Sequence, residues 1–266
     1  MIVYILSVDF IIIVKPIWGE PAFIFQYGKC KTLVVADIHL GVSMNYPGNP
    51  YRNLVSEAKR LYDSLLLLIT KENPRRLLIL GDVKHDILPL RGRYRDTLQA
   101  FIRALSKLVD VTIIKGNHDA GIEKIAGGHA TIIESSGMLM GDYAFLHGHA
   151  NPSSTLDKAS VFIMGHIHPA YRLSVVIDHT VKVWLKMKID KNKIFSRKNL
   201  HGVNEAKLVV MPAFNPYITG FPVNEKHVRE RLPACPIVRR GVIKESLVRL
   251  YSLDGTLLAK MQAKSL

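Results

Sequence analysis

The run "TLVVADIHLG", residues 32–41, begins as a strand and ends in chemistry. Its apolar, β-branched start suits the interior of a sheet, yet Asp37 and His39 follow at once, and both lose favourable hydration on burial. A bound metal ion is one of the few partners that suits a carboxylate and an imidazole together. The reading places a metal site at this strand end and asks the rest of the chain for more ligands.

Four further apolar runs end in the same way: "RLLIL" in Gly81-Asp82, "VTIIK" in Gly116-Asn117-His118-Asp119, "YAFL" in His147-Gly148-His149 and "VFIM" in Gly165-His166-Ile167-His168. Between the first three lie helical patterns. Leu54, Ala58, Leu61, Leu65 and Leu68 share one face before Pro74, and a second helix starts near Asp96 and Thr97, with Leu98, Phe101, Ile102, Leu105 and Leu108 on its face. Alternating strands and helices predict a parallel sheet with right-handed crossovers. After residue 120 the chain turns to strands with little helix, "ATIIES", "LVVMPAF" and the hairpin-like "LVRLYSLDGTLLAKM", where Asp254-Gly255 reads as a two-residue turn. Because both halves carry ligand-bearing segments, the expectation is one domain over 1–266, made of two packed sheets flanked by helices.

In α/β sheets the carboxyl ends of strands form the usual site, so the five clusters should meet along one edge. Asp37 and His39 are two residues apart, as are His166 and His168, and on extended strand ends each pair would project to one side. Gly81, Gly116, Gly148 and Gly165 would let backbone approach an ion or phosphate with no Cβ in the way. The donors are Asp37, His39, Asp82, Asn117, His147, His166 and His168. A single zinc site takes about three or four ligands, so this set predicts two ions sharing a carboxylate, with Asp82 the natural bridge. Carboxylate, amide and imidazole donors without thiolate favour Mn²⁺, Fe²⁺, Zn²⁺ or Co²⁺ over Cu(I) or an iron–sulfur cluster; Mn²⁺ is the first expectation, with Ni²⁺ also open.

Composition sets the outer limits. The 266 residues are 48% hydrophobic, enough for a well-filled core, and only Cys30 and Cys235 are cysteines, which excludes a disulfide framework and suggests a cytoplasmic protein. "MIVYILSVDFIIIV" lacks the basic leading region and cleavage site of a targeting segment and is too short to span a bilayer, so residues 1–14 read as a first strand or a non-native extension. No membrane segment is expected. The formal charge of +14 is uneven: residues 1–178 hold 19 Lys and Arg against 16 Asp and Glu, whereas 179–266 hold 17 against 6. Blocks such as "KVWLKMKIDKNKIFSRK" read either as a surface for polyanions such as DNA or RNA or as a solvated basic surface.

The ordered blocks D-x-H, G-D, G-N-H-D, H-G-H and G-H-x-H resemble those of the calcineurin-like metallophosphoesterases. Within that superfamily, "GDVKHD", "HGH" and "MPAFNP" resemble the small archaeal and bacterial phosphoesterases related to Mre11 and SbcD nucleases, a branch that includes a ligase-associated DNA-repair endonuclease. The resemblance implies a four-layer α/β/β/α sandwich of two mixed sheets. It implies one metal on Asp37, His39, Asp82 and His168, and a second on Asp82, Asn117, His147 and His166. His118 would contact the scissile phosphate and protonate the leaving oxygen, with Asp119 orienting it. The function implied is a metal-dependent phosphodiesterase acting on nucleic acid or nucleotides, using hydroxide formed between two ions.

Other residues have bland and sharp readings side by side. His129, His179, His201 and His227 read as structural. His85 and His149 sit inside the blocks and read as ligand supports or substrate contacts. Arg91, with Arg93 and Arg95, suits a phosphate or a solvated loop, and Asn215 in "PAFNP" suits a structural role or a substrate contact. A phosphomonoesterase, a nucleotide-pyrophosphate hydrolase and a scaffold built on the same fold are the alternatives. "GDVKHDIL" lacks the arginine of Ser/Thr phosphatases, about 90 residues after the last block leave little room for a full Mre11-type nuclease, and a scaffold would lose ligands that this chain keeps.

Overall fold

The computed structural model describes residues 3–7, 10–87, 92–174, 176–177, 179–195, 204–225, 235–238, 242–243 and 247–262, with backbone alone at 3–7 and 10–11. It is a mixed α/β structure in two compact units, each built on its own mixed sheet. The first unit comprises the chain up to Ile17, Ala22–Glu134 and Phe214–Ile218. The second comprises Trp18–Pro21, Ser135–Ala213 and the chain from Thr219 on.

The first unit runs β1 (Val3–Ser7), β2 (Phe10–Pro16), β3 (Ala22–Tyr27), β4 (Cys30–Val35), α1 (Pro50–Glu72), β5 (Arg76–Leu80), α2 (Gly92–Ser106), β6 (Asp110–Ile114), α3 (Ile122–Ala126) and β7 (Thr131–Ile133). Its strands lie in sequence order across one sheet. β1 to β4 pair antiparallel, and β4 to β7 pair parallel. The parallel order follows from the helices, since a parallel neighbour needs a crossover. Leu33, Leu77, Ile79 and Ile113 join the core with Leu54, Leu61, Leu65, Leu98 and Phe101 of α1 and α2. The alternate residues Val34 and Leu78 are equally buried, which is why these strands read as continuous apolar runs.

α1 starts where Asn49 Oδ1 accepts the N–H groups of Tyr51 and Arg52, both at 3.1 Å, with Pro50 in the first turn. It ends at Asn73, whose left-handed φ of 46° closes the helix before Pro74. α2 begins at Gly92, ahead of the expected start at Asp96. No described helix is long and apolar enough to cross a membrane.

The second unit runs β8 (Met138–Met140), β9 (Tyr143–Leu146), β10 (Val161–Met164), β11 (Pro169–Ser174), β12 (His179–Asp190), α4 (Lys191–Phe195), β13 (Glu205–Val210), β14 (Phe221–Pro222), β15 (Leu247–Ser252) and β16 (Leu257–Gln262). Its sheet has the order β14-β11-β12-β13-β10-β9-β8, with β15 on β12 and β16 on β15. β9, β10 and β13 are parallel neighbours. Phe162, Met164, Leu185, Leu208, Val210 and Leu250 form its core.

Two local expectations change. The β15–β16 hairpin forms, but Asp254-Gly255 sits in a longer loop in which the Ser252 N–H donates to Thr256 O at 3.0 Å and Asp254 Oδ1 accepts the Thr256 N–H at 3.0 Å. The described part of the basic block, 182–195, is also partly absorbed by packing. Lys182 Nζ donates to Ala213 O at 2.6 Å, Lys191 Nζ to Asp157 O at 2.8 Å and Ala159 O at 3.2 Å, and Lys186 Nζ lies 4.8 Å from the Tyr251 ring centroid. Long lysine stems reach backbone carbonyls here, so charge in the sequence overstates charge on the surface.

Candidate metal centre

In the first unit the candidate ligands follow the carboxyl ends of three parallel strands: Asp37 and His39 after β4, Asp82 after β5, Asn117 and His118 after β6. Asp37, His39 and Asp82 are 0%, 3% and 2% exposed, and their ligand atoms lie within 4.8 Å of one another. Two carboxylates this close and this buried repel each other, and a cation between them removes the penalty. His39 Nε2 is 3.4 Å from Asp82 Oδ2. Asn117 is exposed on the loop after β6.

The side chains do not reach their positions by strand alternation. β4 stops at Val35, and Asp37 and His39 have φ of 56° and 42°, while Asp82 has 50°. In the second unit His166 and His168 have φ of 71° and 48°. Among the described non-glycine residues the only other positive φ belongs to Asn73, at the end of α1. Left-handed backbone costs an L-residue about 1–3 kcal/mol and persists only where surrounding bonds impose it. Here the Asp37, His39 and Leu40 N–H groups donate to Gly81 O (3.2 Å), Asp82 O (2.7 Å) and Val83 O (2.9 Å). On the other side, the Phe214 N–H donates to Ala36 O at 2.8 Å.

Two of the four glycines, Gly116 and Gly148, make room for neighbouring protein. A Cβ on Gly116 would overlap the carboxylate and backbone nitrogen of Asp82, and one on Gly148, at φ 125°, would overlap the Met164 methyl.

His118 Nδ1 forms a short contact with the His85 carbonyl, and a carbonyl only accepts, so Nδ1 carries a proton. Nε2 is then on the side of Asp82, 3.9 Å from Oδ2, while the His118 N–H donates to Asp82 Oδ1 at 2.9 Å. Asp119, fully buried, makes no direct bond to His118. Its Oδ1 accepts the Val83 N–H (2.8 Å) and its Oδ2 the Gly116 N–H (2.8 Å), so it joins the two loops that carry Asp82 and His118.

His85 completes the imidazole group, with its ring centroid 5.4 Å from that of His39 and 5.9 Å from that of His118. Burial first, and then facing His118, hold its pKa below the ordinary imidazole value. Asn45 Nδ2 meets His85 Nε2 at 3.3 Å. Tyr94, absent from the sequence reading, sits under Gly41, accepts the His85 N–H at 3.0 Å and donates to Leu40 O. Burial pushes its phenol up to about 12, so it stays a donor. Arg91 lies outside the described residues. Arg93 sits over the Tyr51 ring at 5.5 Å from its centroid.

In the second unit His147 follows β9 and His166 follows β10, and these strands are parallel. His147 Nε2 and His166 Nδ1 approach to 3.1 Å, both residues being buried. His149 stands beside them, its ring centroid 5.2 Å from that of His147. His168 is half-buried and stacks on Phe221 at 6.4 Å. Converging imidazole nitrogens of this kind fit a divalent ion.

Asn215 and Glu57 lie behind the Asp37–His39 turn. Asn215 is fully buried, and its Nδ2 donates to Ile38 O at 2.8 Å. Of the two readings of Asn215, these bonds describe the structural one. Glu57 was missed by the sequence reading, although its position gives a signal: it lies between Leu54 and Leu61 on the buried face of α1, where a carboxylate needs a reason.

The sequence profile of calcineurin-like phosphoesterases matches residues 30–187, which contain every candidate ligand of both units. The chain is a calcineurin-like phosphoesterase. Among solved structures, the nuclease MPE of Pseudomonas putida shares 16% identity over 96% of this chain and 98% of its own, with a TM-score of 0.58, and so shares the fold. YfcE, a phosphoesterase from E. coli, aligns at 14% identity over 87% of this chain and 98% of its own, with a TM-score of 0.37. No curated protein matches the chain by sequence. This calcineurin-like phosphoesterase carries His/Asp clusters that could hold the divalent metals its family uses.

Proposed function

We propose that the chain is a phosphodiesterase that cleaves nucleic acid or nucleotides with two divalent ions, Mn²⁺ the first choice. The observation that carries this reading is the trio Asp37, His39 and Asp82, buried, mutually within 4.8 Å and held in strained left-handed backbone. The ligand sets follow the motif order: Asp37, His39, Asp82 and His168 for one ion, Asp82, Asn117, His147 and His166 for the other, with 1–266 acting as one domain. When bound, such ions supply a hydroxide nucleophile at neutral pH and neutralise the phosphoryl oxygens.

The chain's own residues then handle the leaving group. With Nδ1–H held by the His85 carbonyl, a protonated His118 gives its Nε2 proton to the departing oxygen as the P–O bond breaks, leaving a monoester and an alcohol. The uneven positive charge and the nuclease among the structural neighbours support a polyanionic substrate, and the presence of only two cysteines supports a cytoplasmic setting.

Hydrolysis of bis-p-nitrophenyl phosphate, p-nitrophenyl phosphate, and single-stranded and duplex DNA with added Mn²⁺ tests the assignment. Diester and DNA cleavage is expected. Cleavage of the monoester alone would move the protein to a phosphatase.

A further inference from the structure

Glu57 is 0% exposed, and its carboxylate is met by backbone, hydroxyl and amide donors. A buried carboxylate without a counter-charge is costly unless its lone pairs are filled. Glu57 fills them with four donors. Oε2 accepts the Gly41 N–H (3.1 Å), the Ser43 N–H (3.1 Å) and the Ser43 hydroxyl (2.6 Å), and Oε1 accepts Asn215 Nδ2 at 2.6 Å.

These partners sit on either side of the ligand turn. Gly41 and Ser43 follow His39 in the chain, and Asn215 Nδ2 also donates to Ile38 O at 2.8 Å and His39 O at 3.4 Å. A carboxylate only accepts, so Glu57 forces the NH₂ edge of Asn215 toward itself and hence toward those carbonyls. Asn215 Oδ1 is then placed for the Tyr217 N–H, at 2.9 Å. Were the amide reversed, its oxygen would face the Ile38 carbonyl and the Glu57 carboxylate together.

We infer that Glu57 is a positioning residue for metal binding: through Asn215, Gly41 and Ser43 it holds the Asp37–His39 turn in the left-handed conformation that aims both ligands at the ion. This rests on the proposed metal-dependent reading. Supports behind metal ligands typically change affinity about 10–100-fold when lost.

The test is Mn²⁺ binding alone, by titration calorimetry, on wild type, Glu57→Gln, Ser43→Ala and Leu105→Ala. The glutamine in Glu57→Gln keeps the side-chain volume but turns one acceptor into a donor. Leu105, fully buried on α2, serves as a destabilised control remote from the turn. Glu57→Gln should weaken Mn²⁺ binding by about 10-fold or more, while Leu105→Ala lowers the melting temperature and keeps wild-type affinity. If Glu57→Gln does not fold, Ser43→Ala, which removes only the hydroxyl donor, should still weaken binding several-fold relative to Leu105→Ala. Wild-type affinity in folded Glu57→Gln, or equal weakening in Leu105→Ala, would overturn the inference. Wild type that binds no Mn²⁺ would instead overturn the metal-dependent reading itself.

Discussion

At the scale of single residues, the site is a set of side chains held against their backbone preferences. Asp37, His39, Asp82, His166 and His168 all occupy left-handed backbone, and all five were named from the sequence by donor type and spacing. Their conformation was not legible, because the extended-strand argument gives the same spacing with the wrong φ. His118 was legible as well, but its partner was not: a backbone carbonyl, that of His85, leaves no mark in the sequence. His118→Ala should lower kcat by about 10²–10⁴-fold and leave Mn²⁺ content unchanged, as measured by diester hydrolysis beside elemental analysis. A variant that lost its metal would remove the proton-donor role. Glu57 and Tyr94 escaped notice for a related reason: buried polar groups on amphipathic helices look like lapses in a pattern until their partners are seen.

At the scale of elements, the strands that precede ligands were read with small boundary errors because their apolar runs are continuous. The turns between them depend on long-range contacts and were not. Gly116→Ala would push a methyl into Asp82, at a cost of about 1–3 kcal/mol, with weakened Mn²⁺ binding; thermal melts and calorimetry on the same preparation would show whether both change together. Removing the α1 cap is a separate effect. Asn49→Ala should cost about 1 kcal/mol in urea unfolding with Mn²⁺ affinity intact. At the other end of α1, burial raises the Glu72 pKa, but hydrogen bonds and charge from Lys15 and Lys31 outweigh it and the net shift is downward. A carboxyl with a lowered folded pKa stabilises above its unfolded value and loses that contribution as pH falls through the folded one. Glu72→Gln should therefore lower the melting temperature at pH 7 and differ little from wild type near pH 3; an equal deficit at both would contradict the ion-pair account.

At the scale of the whole molecule, the fold class was legible from the order of five strand-to-cluster junctions, whereas the distribution of charge was not. Lys182, Lys186 and Lys191 serve packing and carbonyl contacts, so the net charge of +14 overstates the surface offered to a polyanion. What remains should still show in salt dependence. KM for DNA should rise steeply between about 50 and 200 mM salt, while KM for bis-p-nitrophenyl phosphate, with a single charge, changes little. Parallel responses would remove the case for a nucleic-acid track.

The most direct measurement is metal stoichiometry with diester hydrolysis on wild type and Asp82→Asn. About two Mn²⁺ per chain in wild type, with metal and activity both lost in Asp82→Asn, is the expected result. Full diester hydrolysis by a variant or a wild-type chain holding no divalent metal would contradict the account.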